Sequence, residues 1–256
     1  MSRTLSNGVE IPDIGFGTWA LNGEACVTAV KEAIEAGYRL IDTASWYGNE
    51  KEVGQAIRNF DRSELFIISK CWKDQMGKEK ARTAFEQSLK DLGTDYIDLY
   101  LIHWPSGDRA VNIETWQTLV DLYKEGKCRA IGVSNFNEDD LLQLFDCEIL
   151  PMADEILFDP GNKQRETRAF CHQHHIQVIG YQPLGRGKIL GNFLIRKLAD
   201  KYNVSPAQIC LSWEVAQKVI PIPKSSHVER MKENLEYHVP LTDEEIEQID
   251  SLPPQQ

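Results

Sequence analysis

The chain has 256 residues, of which 42% are hydrophobic and 26% are charged, and these proportions are typical of a globular protein. Its 39 acidic and 28 basic residues give a net charge of −11, which disfavours nonspecific binding to nucleic acid or to an anionic membrane. No apolar run approaches the ~20 residues of a membrane-spanning helix, and no basic-then-apolar leader opens the sequence. The six cysteines form no C-x-x-C pair, so we expect a cytoplasmic protein with reduced thiols.

Short apolar runs alternate with amphipathic runs along the whole chain. Ahead of them, residues 4–11 predict a β-hairpin that turns at Asn7-Gly8. The predicted strands are Ile14–Gly17, Arg39–Asp42, Leu65–Lys70, Tyr96–Leu101, Ala130–Val133, Ala153–Leu157, Gln177–Tyr181 and Val219–Pro221. The predicted helices are 25–36, 51–59, 78–91, 113–124, 138–145, 164–174, 194–202, 206–217, 228–235 and 243–251.

Eight strand–helix units in a chain of this length predict an α/β fold, a closed (β/α)8 or TIM barrel. The strands are short and rich in Ile, Val and Leu, as expected where both faces of a parallel sheet are buried. No linker rich in Gly, Ser or Pro divides the chain, so residues 1–256 are predicted to form one domain. The N-terminal hairpin would cover the barrel floor, and extra helices would follow the last strands.

In such a barrel the functional site lies at the carboxyl ends of the strands. Asp42, Lys70 and His103 stand at or just beyond predicted strand ends, and Tyr47 lies in the loop after Asp42. A cation makes a phenolate easier to reach, so Lys70, held protonated by Asp42, can assist Tyr47 as proton donor. His103 can orient and polarise a carbonyl. Since no side chain donates hydride, these four candidate catalytic residues imply a nicotinamide cofactor.

The chain resembles the aldo-keto reductase family over nearly its whole length, and within it the bacterial 2,5-diketo-gluconate reductase and prostaglandin-F-synthase-like group. Asp42, Tyr47, Lys70 and His103 fall on the family's catalytic positions. The other matching segments are Gly15–Trp19, Leu101–Pro105, Gly132–Phe136 and Pro221–Ser225, followed by Arg230 and Glu233-Asn234.

The resemblance implies that NADPH binds in an extended form without a Rossmann fold, and the sequence has no G-x-G-x-x-G that opens a helix after a strand. Tyr181 would stack on the nicotinamide. Lys224, Ser225 and Arg230 would hold a 2′-phosphate, which favours NADP over NAD. The cofactor-binding residues implied by the resemblance are Thr18, Trp19, Asp42, Ser134, Asn135, Glu155, Tyr181, Gln182, Leu184, Lys224, Ser225, Arg230, Glu233 and Asn234.

Some residues of the implied cofactor site depart from the family's usual pattern. Asp154-Glu155 stands where the family usually has Asn-Gln, and Phe158-Asp159 and Gln182 also differ. An ionised Glu155 can accept a hydrogen bond from the nicotinamide carboxamide but cannot donate one. We hypothesise that its negative charge favours the oxidised, positively charged nicotinamide and so makes the bound cofactor a better hydride donor.

Tryptophans near four strand ends predict an aromatic wall around a substrate cleft. With His103, the predicted pocket consists of Trp19, Trp46, Trp72, His103 and Trp104. The neighbouring loops are short, so we expect a shallow, open site for small aldehydes, ketones or dicarbonyls. A monomer is the usual form in this group of the family.

The alternative function is an NADPH-binding regulatory or redox-sensing protein with little turnover, as some aldo-keto-like proteins serve ion channels. The presence of all four catalytic groups favours an active reductase. A metal site at residues 171–175 is less favoured, because this segment ends an amphipathic helix rather than a strand. A Schiff-base aldolase that used Lys70 would leave the basic residues after the last strand without a role.

Overall fold

The computed structural model describes residues 2–254, so Met1, Gln255 and Gln256 of the predicted domain lie outside the described residues. Within that range the strands are β1 (Ser2–Thr4), β2 (Glu10–Pro12), β3 (Phe16–Gly17), β4 (Leu40–Asp42), β5 (Phe66–Cys71), β6 (Ile97–Ile102), β7 (Cys128–Ser134), β8 (Ala153–Leu157), β9 (Gln177–Tyr181) and β10 (Ile220–Ile222). The helices are α1 (Gly23–Ala36), α2 (Glu50–Ile57), α3 (Lys78–Leu92), α4 (Arg109–Lys124), α5 (Glu138–Leu142), α6 (Arg165–Gln173), α7 (Phe193–Tyr202), α8 (Pro206–Ala216), α9 (Val228–Leu235) and α10 (Asp243–Asp250). None of these described helices is long and apolar enough to cross a membrane.

Strands β3 to β10 pair in chain order, all parallel, and close into a barrel. The seam forms where the N–H groups of Gly15 and Gly17 donate to the carbonyls of Pro221 (2.9 Å) and Pro223 (3.1 Å). A Cβ on Gly17 would lie 3.0 Å from the carbonyl oxygen of Ile222, so only glycine fits this approach without displacement. The predicted (β/α)8 barrel is therefore confirmed.

The hairpin of β1 and β2 lies across the amino ends of the barrel strands. Its Leu5 and Ile11 are buried in the core. Arg3 donates to the carbonyl of Val215 (2.9 Å), in the last turn of α8, and Asn7 donates to the carbonyl of Arg129 (2.9 Å), at the start of β7. Because the hairpin occupies the floor, the opposite rim of the barrel is left to face solvent and ligands.

Two predicted helix boundaries differ from the structure by three residues or more. Helix α4 begins at Arg109 rather than 113, because the Asp108 carboxylate accepts the N–H of Ala110 (2.9 Å) and caps an earlier first turn. Helix α5 ends at Leu142 rather than 145, because the chain then continues in tighter turns with bonds to the residue three before, as from Leu144 N–H to Leu141.

A buried carboxyl group lies outside the barrel wall on helix α8. Glu214 is fully buried, and neither of its carboxyl oxygens has a hydrogen-bond partner among the described residues. Burial, followed by the nearby charge of Asp159, raises the pKa of Glu214 well above its usual value. Burial therefore favours the protonated form of Glu214 in the folded protein.

Replacing Glu214 by Gln is expected to stabilise the protein at pH 8.5 by about 1 to 3 kcal/mol and to change little at pH 5. The folded state keeps a proton that the unfolded chain releases above about pH 4, so wild-type stability falls as the pH rises beyond that value. Urea unfolding at the two pH values measures this difference. The exposed Glu247→Gln on α10 is the matched control, and equal curves for wild type and Glu214→Gln at pH 8.5 would contradict the prediction.

Candidate active site

The carboxyl ends of β4, β5 and β8 meet in a buried ionic cluster around Lys70. The Lys70 ammonium donates to Asp42 Oδ1 and to the carbonyl of Thr43 (3.1 Å), and it lies 3.2 Å from Glu155 Oε1. Lys70, Asp42 and Glu155 are each at most 2% exposed. Lys70 is thus a fully desolvated cation that lies between two carboxyl groups.

Tyr47 reaches this cluster from a short 3-10 turn at Ser45–Tyr47, after β4. The Ser45 hydroxyl makes hydrogen bonds with the carbonyl of Lys70 (2.9 Å) and with Gln75 Oε1 (2.7 Å), and the N–H of Trp72 also donates to Gln75 (2.8 Å). These bonds fix the turn against β5 and place the Tyr47 hydroxyl 3.4 Å from Lys70 Nζ.

The pKa values of Lys70 and Tyr47 decide which of them carries a proton. Burial lowers the pKa of Lys70, but the charges of Asp42 and Glu155 outweigh it, so the pKa of Lys70 is raised overall. Burial raises the pKa of Tyr47, and the charge of Lys70 only partly offsets this effect. Both side chains are therefore protonated at neutral pH, and Tyr47 is a neutral phenol that can donate its proton.

His103 follows β6 and faces Tyr47, with ring centroids 5.5 Å apart and planes at 76°. Burial, and then the charges of Lys70 and Lys73, lower the pKa of His103 to about 2, so its imidazole is neutral at physiological pH. Its carbonyl accepts the Asn135 side-chain amide (3.0 Å). Its Nδ1 is buried and has no hydrogen-bond partner among the described residues. A neutral imidazole has one N–H donor, which can bind a carbonyl oxygen.

The predicted tryptophan wall is only partly assembled. Trp46 and Trp72 stack with centroids 4.5 Å apart, and Trp72 meets His103 edge-on at 4.9 Å. Trp19 and Trp104 are partly exposed and contact cations instead: Arg186 lies 5.3 Å from the Trp19 ring centre, and Lys73 Nζ lies 5.1 Å from that of Trp104. The structure thus brings Trp46, Trp72 and His103 together with Tyr47, and shows no ring contact of Trp19 or Trp104 with them among the described residues.

The candidate nicotinamide-binding residues form a second connected group beside the cluster. The Tyr181 hydroxyl donates to Asn135 Oδ1 (2.8 Å), the Asn135 amide donates to Ser134 Oγ (2.9 Å), and Ser134 donates to the Glu155 carbonyl (2.7 Å). Thr18 lies apart from this group, and its hydroxyl donates to the carbonyl of Asp42 (2.9 Å). Ser134, Asn135, Glu155 and Tyr181 therefore converge as expected.

The residues assigned to the nucleotide end lie on both sides of the start of α9. Lys224 is exposed just after β10, and Arg230 is exposed in the first turn of α9. Ser225 is buried, and its Oγ accepts the N–H of His227 (3.0 Å). Glu233 is half-buried and Asn234 is buried, both in the next turn of α9. Lys224 and Arg230 are thus free to meet a solvent-borne anion, whereas Asn234 packs inside.

The loop after β9 carries the remaining predicted cofactor residues, Gln182 and Leu184, both half-buried. Gln182 has a left-handed backbone (φ 56°), and its Oε1 accepts Arg186 Nε (3.1 Å). Since Arg186 also lies over Trp19, this loop reaches across to the loop after β3.

Sequence reasoning missed the residues that brace these groups. Asn49 accepts the Thr43 hydroxyl (2.7 Å) and donates to the carbonyls of Thr18 and Leu21 (both 2.9 Å), which ties together the loops after β3 and β4. Asn49 immediately precedes α2, where asparagine is a common N-cap residue, so the sequence does not indicate its role in bracing the site. The sequence indicates a role for Arg186 only weakly: the residue lies between two glycines in a loop that follows a strand end.

Two buried polar atoms at this rim lack hydrogen-bond partners and are consistent with a bound cofactor. His103 Nδ1 and Glu155 Oε2 are both buried, and neither has a hydrogen-bond partner among residues 2–254. Buried polar atoms without partners in a cleft indicate contacts that a bound molecule supplies. No cluster of three or more metal-binding side chains occurs in the described part of the chain.

A closed (β/α)8 barrel with a phenol, a buried ammonium and a neutral imidazole at its carboxyl rim has the fold and groups of a barrel oxidoreductase. Residues 13–253 match the model of the Aldo/keto reductase family, and the chain belongs to that family.

Two enzymes and a solved structure from other organisms are similar to this protein over nearly its whole chain. The chain is 45% identical to the 9,11-endoperoxide prostaglandin H2 reductase of Trypanosoma cruzi, over 97% of this chain and 90% of the relative. It is 44% identical to the glyoxal reductase of Bacillus subtilis, over 97% and 91%. A crystal structure of a Bombyx mori aldo-keto reductase in complex with NADP superposes with a TM-score of 0.91 at 36% identity, over 98% and 92% of the two chains.

Proposed function

We propose that the protein reduces small aldehydes, ketones or dicarbonyls to alcohols, with NADPH as hydride source and Tyr47 as proton donor. NADP(H) is the cofactor of this aldo-keto reductase, in keeping with the NADP complex of its structural relative. The single observation that carries the proposal is the position of the Tyr47 hydroxyl, 3.4 Å from a buried, protonated Lys70 and across from His103. The glyoxal reductase of B. subtilis supports dicarbonyls as substrates.

The bound cofactor supplies a hydride to the carbonyl carbon. The carbonyl oxygen then gains negative charge, and we propose that Tyr47 gives its proton to that oxygen while His103 holds it by an imidazole N–H. Lys70 stabilises the phenolate that Tyr47 becomes, since its positive charge favours the ionised form. Asp42 keeps Lys70 charged and in place through their hydrogen bond. The Trp46–Trp72 stack lies along one side of this site and helps to exclude water from it.

The cofactor would be held from the rim of β7 round to α9. Ser134, Asn135, Glu155 and Tyr181 would bind the nicotinamide end, and Thr18 and Trp19 would flank it. Gln182 and Leu184 would face the pyrophosphate. Lys224, Ser225 and Arg230 would bind the 2′-phosphate, with Glu233 and Asn234 beside the adenosine. Exposed Lys224 and Arg230 suit this role because a phosphate can reach them without burying either charge.

Replacing Arg230 by Ala is expected to raise the Kd for NADPH by about 10- to 100-fold and to leave the Kd for NADH unchanged within about twofold. A guanidinium bound to phosphate makes charge-assisted hydrogen bonds, and their loss has an effect of this size. NADH has no 2′-phosphate and therefore makes no such hydrogen bonds with Arg230. Titrations that follow nucleotide fluorescence measure both constants, with the exposed Arg196→Ala on α7 as matched control. An equal rise in the Kd for both nucleotides would show that Arg230 does not bind the 2′-phosphate.

The proposed function is tested by following NADPH and, separately, NADH oxidation with methylglyoxal and with a simple aromatic aldehyde. We expect turnover with NADPH and a much lower kcat/KM with NADH. Tight NADPH binding without turnover of any carbonyl would favour a regulatory or redox-sensing protein instead. Failure to bind NADPH would contradict both functions.

We further propose that the protein acts as a monomer in the cytoplasm. Light scattering after size exclusion measures the first property, and fractionation of the producing cells measures the second. A dimer mass or a membrane-bound or exported fraction would contradict the respective proposal.

A further inference from the structure

Glu155 is the member of the ionic cluster for which the mechanism above gives no proton role. It lies in the middle of β8, which is opposite β4 in the barrel, and its side chain approaches that of Asp42 around Lys70. Glu155 Oε1 is 3.2 Å from Lys70 Nζ, and Asp42 Oδ1 accepts a hydrogen bond from the same nitrogen. Two carboxyl groups therefore converge on one ammonium, in a place where Glu155 is only 1% exposed.

The charges in this cluster do not balance unless one proton is shared. One ammonium compensates one carboxylate, and a second buried carboxylate would be left without a counter-charge. Burial, and then the charge of Asp42, raise the pKa of Glu155 to about 8, and burial raises the pKa of Asp42 as well. In the cofactor-free protein the pair thus holds one proton at neutral pH.

The other titratable groups that face Glu155 do not supply a second positive charge to the cluster. Tyr47 and Tyr181 face the cluster as neutral phenols, because burial raises the pKa of each. His103 is neutral for the reasons given above. Asp154 lies on the same strand, and burial raises its pKa well above the usual value, which favours its neutral form. Ser134 and Asn135 carry no charge. Lys70 is thus the cation of the cluster, and the Glu155–Asp42 pair holds its mobile proton.

We propose that the Glu155–Asp42 pair stores one proton and releases it when the neighbouring nicotinamide is in its oxidised, positively charged form. The proposal rests on the proposed function, since it places the nicotinamide beside Glu155. During reduction, the O–H bond of Glu155 breaks as its proton passes to Lys70, while Lys70 passes one of its own to the Tyr47 phenolate. The products are a Glu155 carboxylate, an ammonium as before and a neutral phenol. The carboxylate compensates the positive charge that the nicotinamide gains when hydride leaves.

The proposed shared proton changes the expected role of Glu155. Its negative charge is not fixed but appears only when the cofactor is oxidised. Binding of NADP+ then releases a proton, and binding of NADPH does not. By linkage, the Kd for NADP+ rises up to tenfold for each unit that the pH lies below the pKa of Glu155, about 8, while the Kd for NADPH stays flat by comparison. A glutamine at 155 cannot release a proton, so the difference between the nucleotides should lose its pH dependence.

The experiment is calorimetric titration of the full-length protein with NADP+ and with NADPH at pH 7.0, each in phosphate and in Tris. The two buffers differ in ionisation enthalpy, so the comparison counts the protons released. Both nucleotides carry the same 2′-phosphate, whose own titration cancels in the difference between them. We expect wild type to release close to one proton more with NADP+ than with NADPH. Glu155→Gln should release none in excess, and Glu214→Gln, which removes another buried carboxyl group, should behave as wild type.

Three results would decide against the proposal. Equal proton release for the two nucleotides in wild type would overturn it, even if Glu155→Gln does not fold. An excess proton that persists in Glu155→Gln would assign the release to another group. If wild type binds neither nucleotide, the proposed function fails and the proton store fails with it, whereas the first two results leave the proposed function intact.

Discussion

Tyr47→Phe is expected to lower kcat for carbonyl reduction by about 10³-fold while leaving the Kd for NADPH unchanged within about twofold. General acid catalysis by a positioned side chain contributes on the order of 10²- to 10⁴-fold, and the phenylalanine ring has no proton to give. The ring itself should remain in place, because its edge contact with His103 and its position under Lys70 do not need the hydroxyl. Stopped-flow absorbance of NADPH, in single turnover with methylglyoxal, separates the chemical step from release of products.

Tyr123→Phe is the matched control, because it removes a phenol hydroxyl that contacts Asn7 at the barrel floor, away from the rim. It should retain wild-type kcat. If Tyr47→Phe kept more than about a tenth of the wild-type rate, another group or a water molecule would have to be the proton donor.

Lys70→Met is expected to destabilise the protein by about 3 to 5 kcal/mol at pH 8.5, and by clearly less at pH 5.5. The variant leaves Asp42 and Glu155 buried without their counter-charge, and loss of one partner of a buried ion pair has an effect of this size. The folded pKa of each carboxyl group is already raised by burial, so the folded state holds protons that the unfolded chain releases above about pH 4. The stability of the variant therefore falls as the pH rises through and beyond that value. Urea unfolding monitored by tryptophan fluorescence measures it.

The rescue variant combines Lys70→Met with Asp42→Asn and Glu155→Gln, which removes all three charges together. It should recover most of the lost stability at pH 8.5 but none of the activity. A Lys70→Met protein whose stability did not depend on pH between 5.5 and 8.5 would show that Asp42 and Glu155 are not paired through Lys70 as described.

The gathering of Asp42, Tyr47, Lys70 and His103 could be predicted from the sequence because it follows from topology alone. Parallel strands in chain order put their carboxyl ends on one rim, so residues that follow β4, β5 and β6 must be neighbours there. No knowledge of side-chain packing was needed. The same logic located Ser134, Asn135 and Tyr181, although their roles toward the cofactor stay predictions.

The contact between Glu155 and Asp42 could not be predicted in the same way. Their strands lie opposite each other, and whether two side chains meet across a barrel depends on the depth of each residue and on the side chains between them. The shared proton is for that reason invisible in the sequence, which shows only an acid where the family usually has an amide. Trp19 and Trp104 illustrate the same limit, since their partners Arg186 and Lys73 come from other loops.

The seam between Gly15 and Pro221 has a consequence for how the chain is made. Its hydrogen bonds join opposite ends of the sequence, so the sheet cannot close until the last strand has left the ribosome. Until then both edge strands expose unpaired backbone groups, which are templates for pairing with other chains. The nascent protein is therefore prone to aggregation until β10 has emerged, and slower translation of the residues just after β10 would prolong that interval.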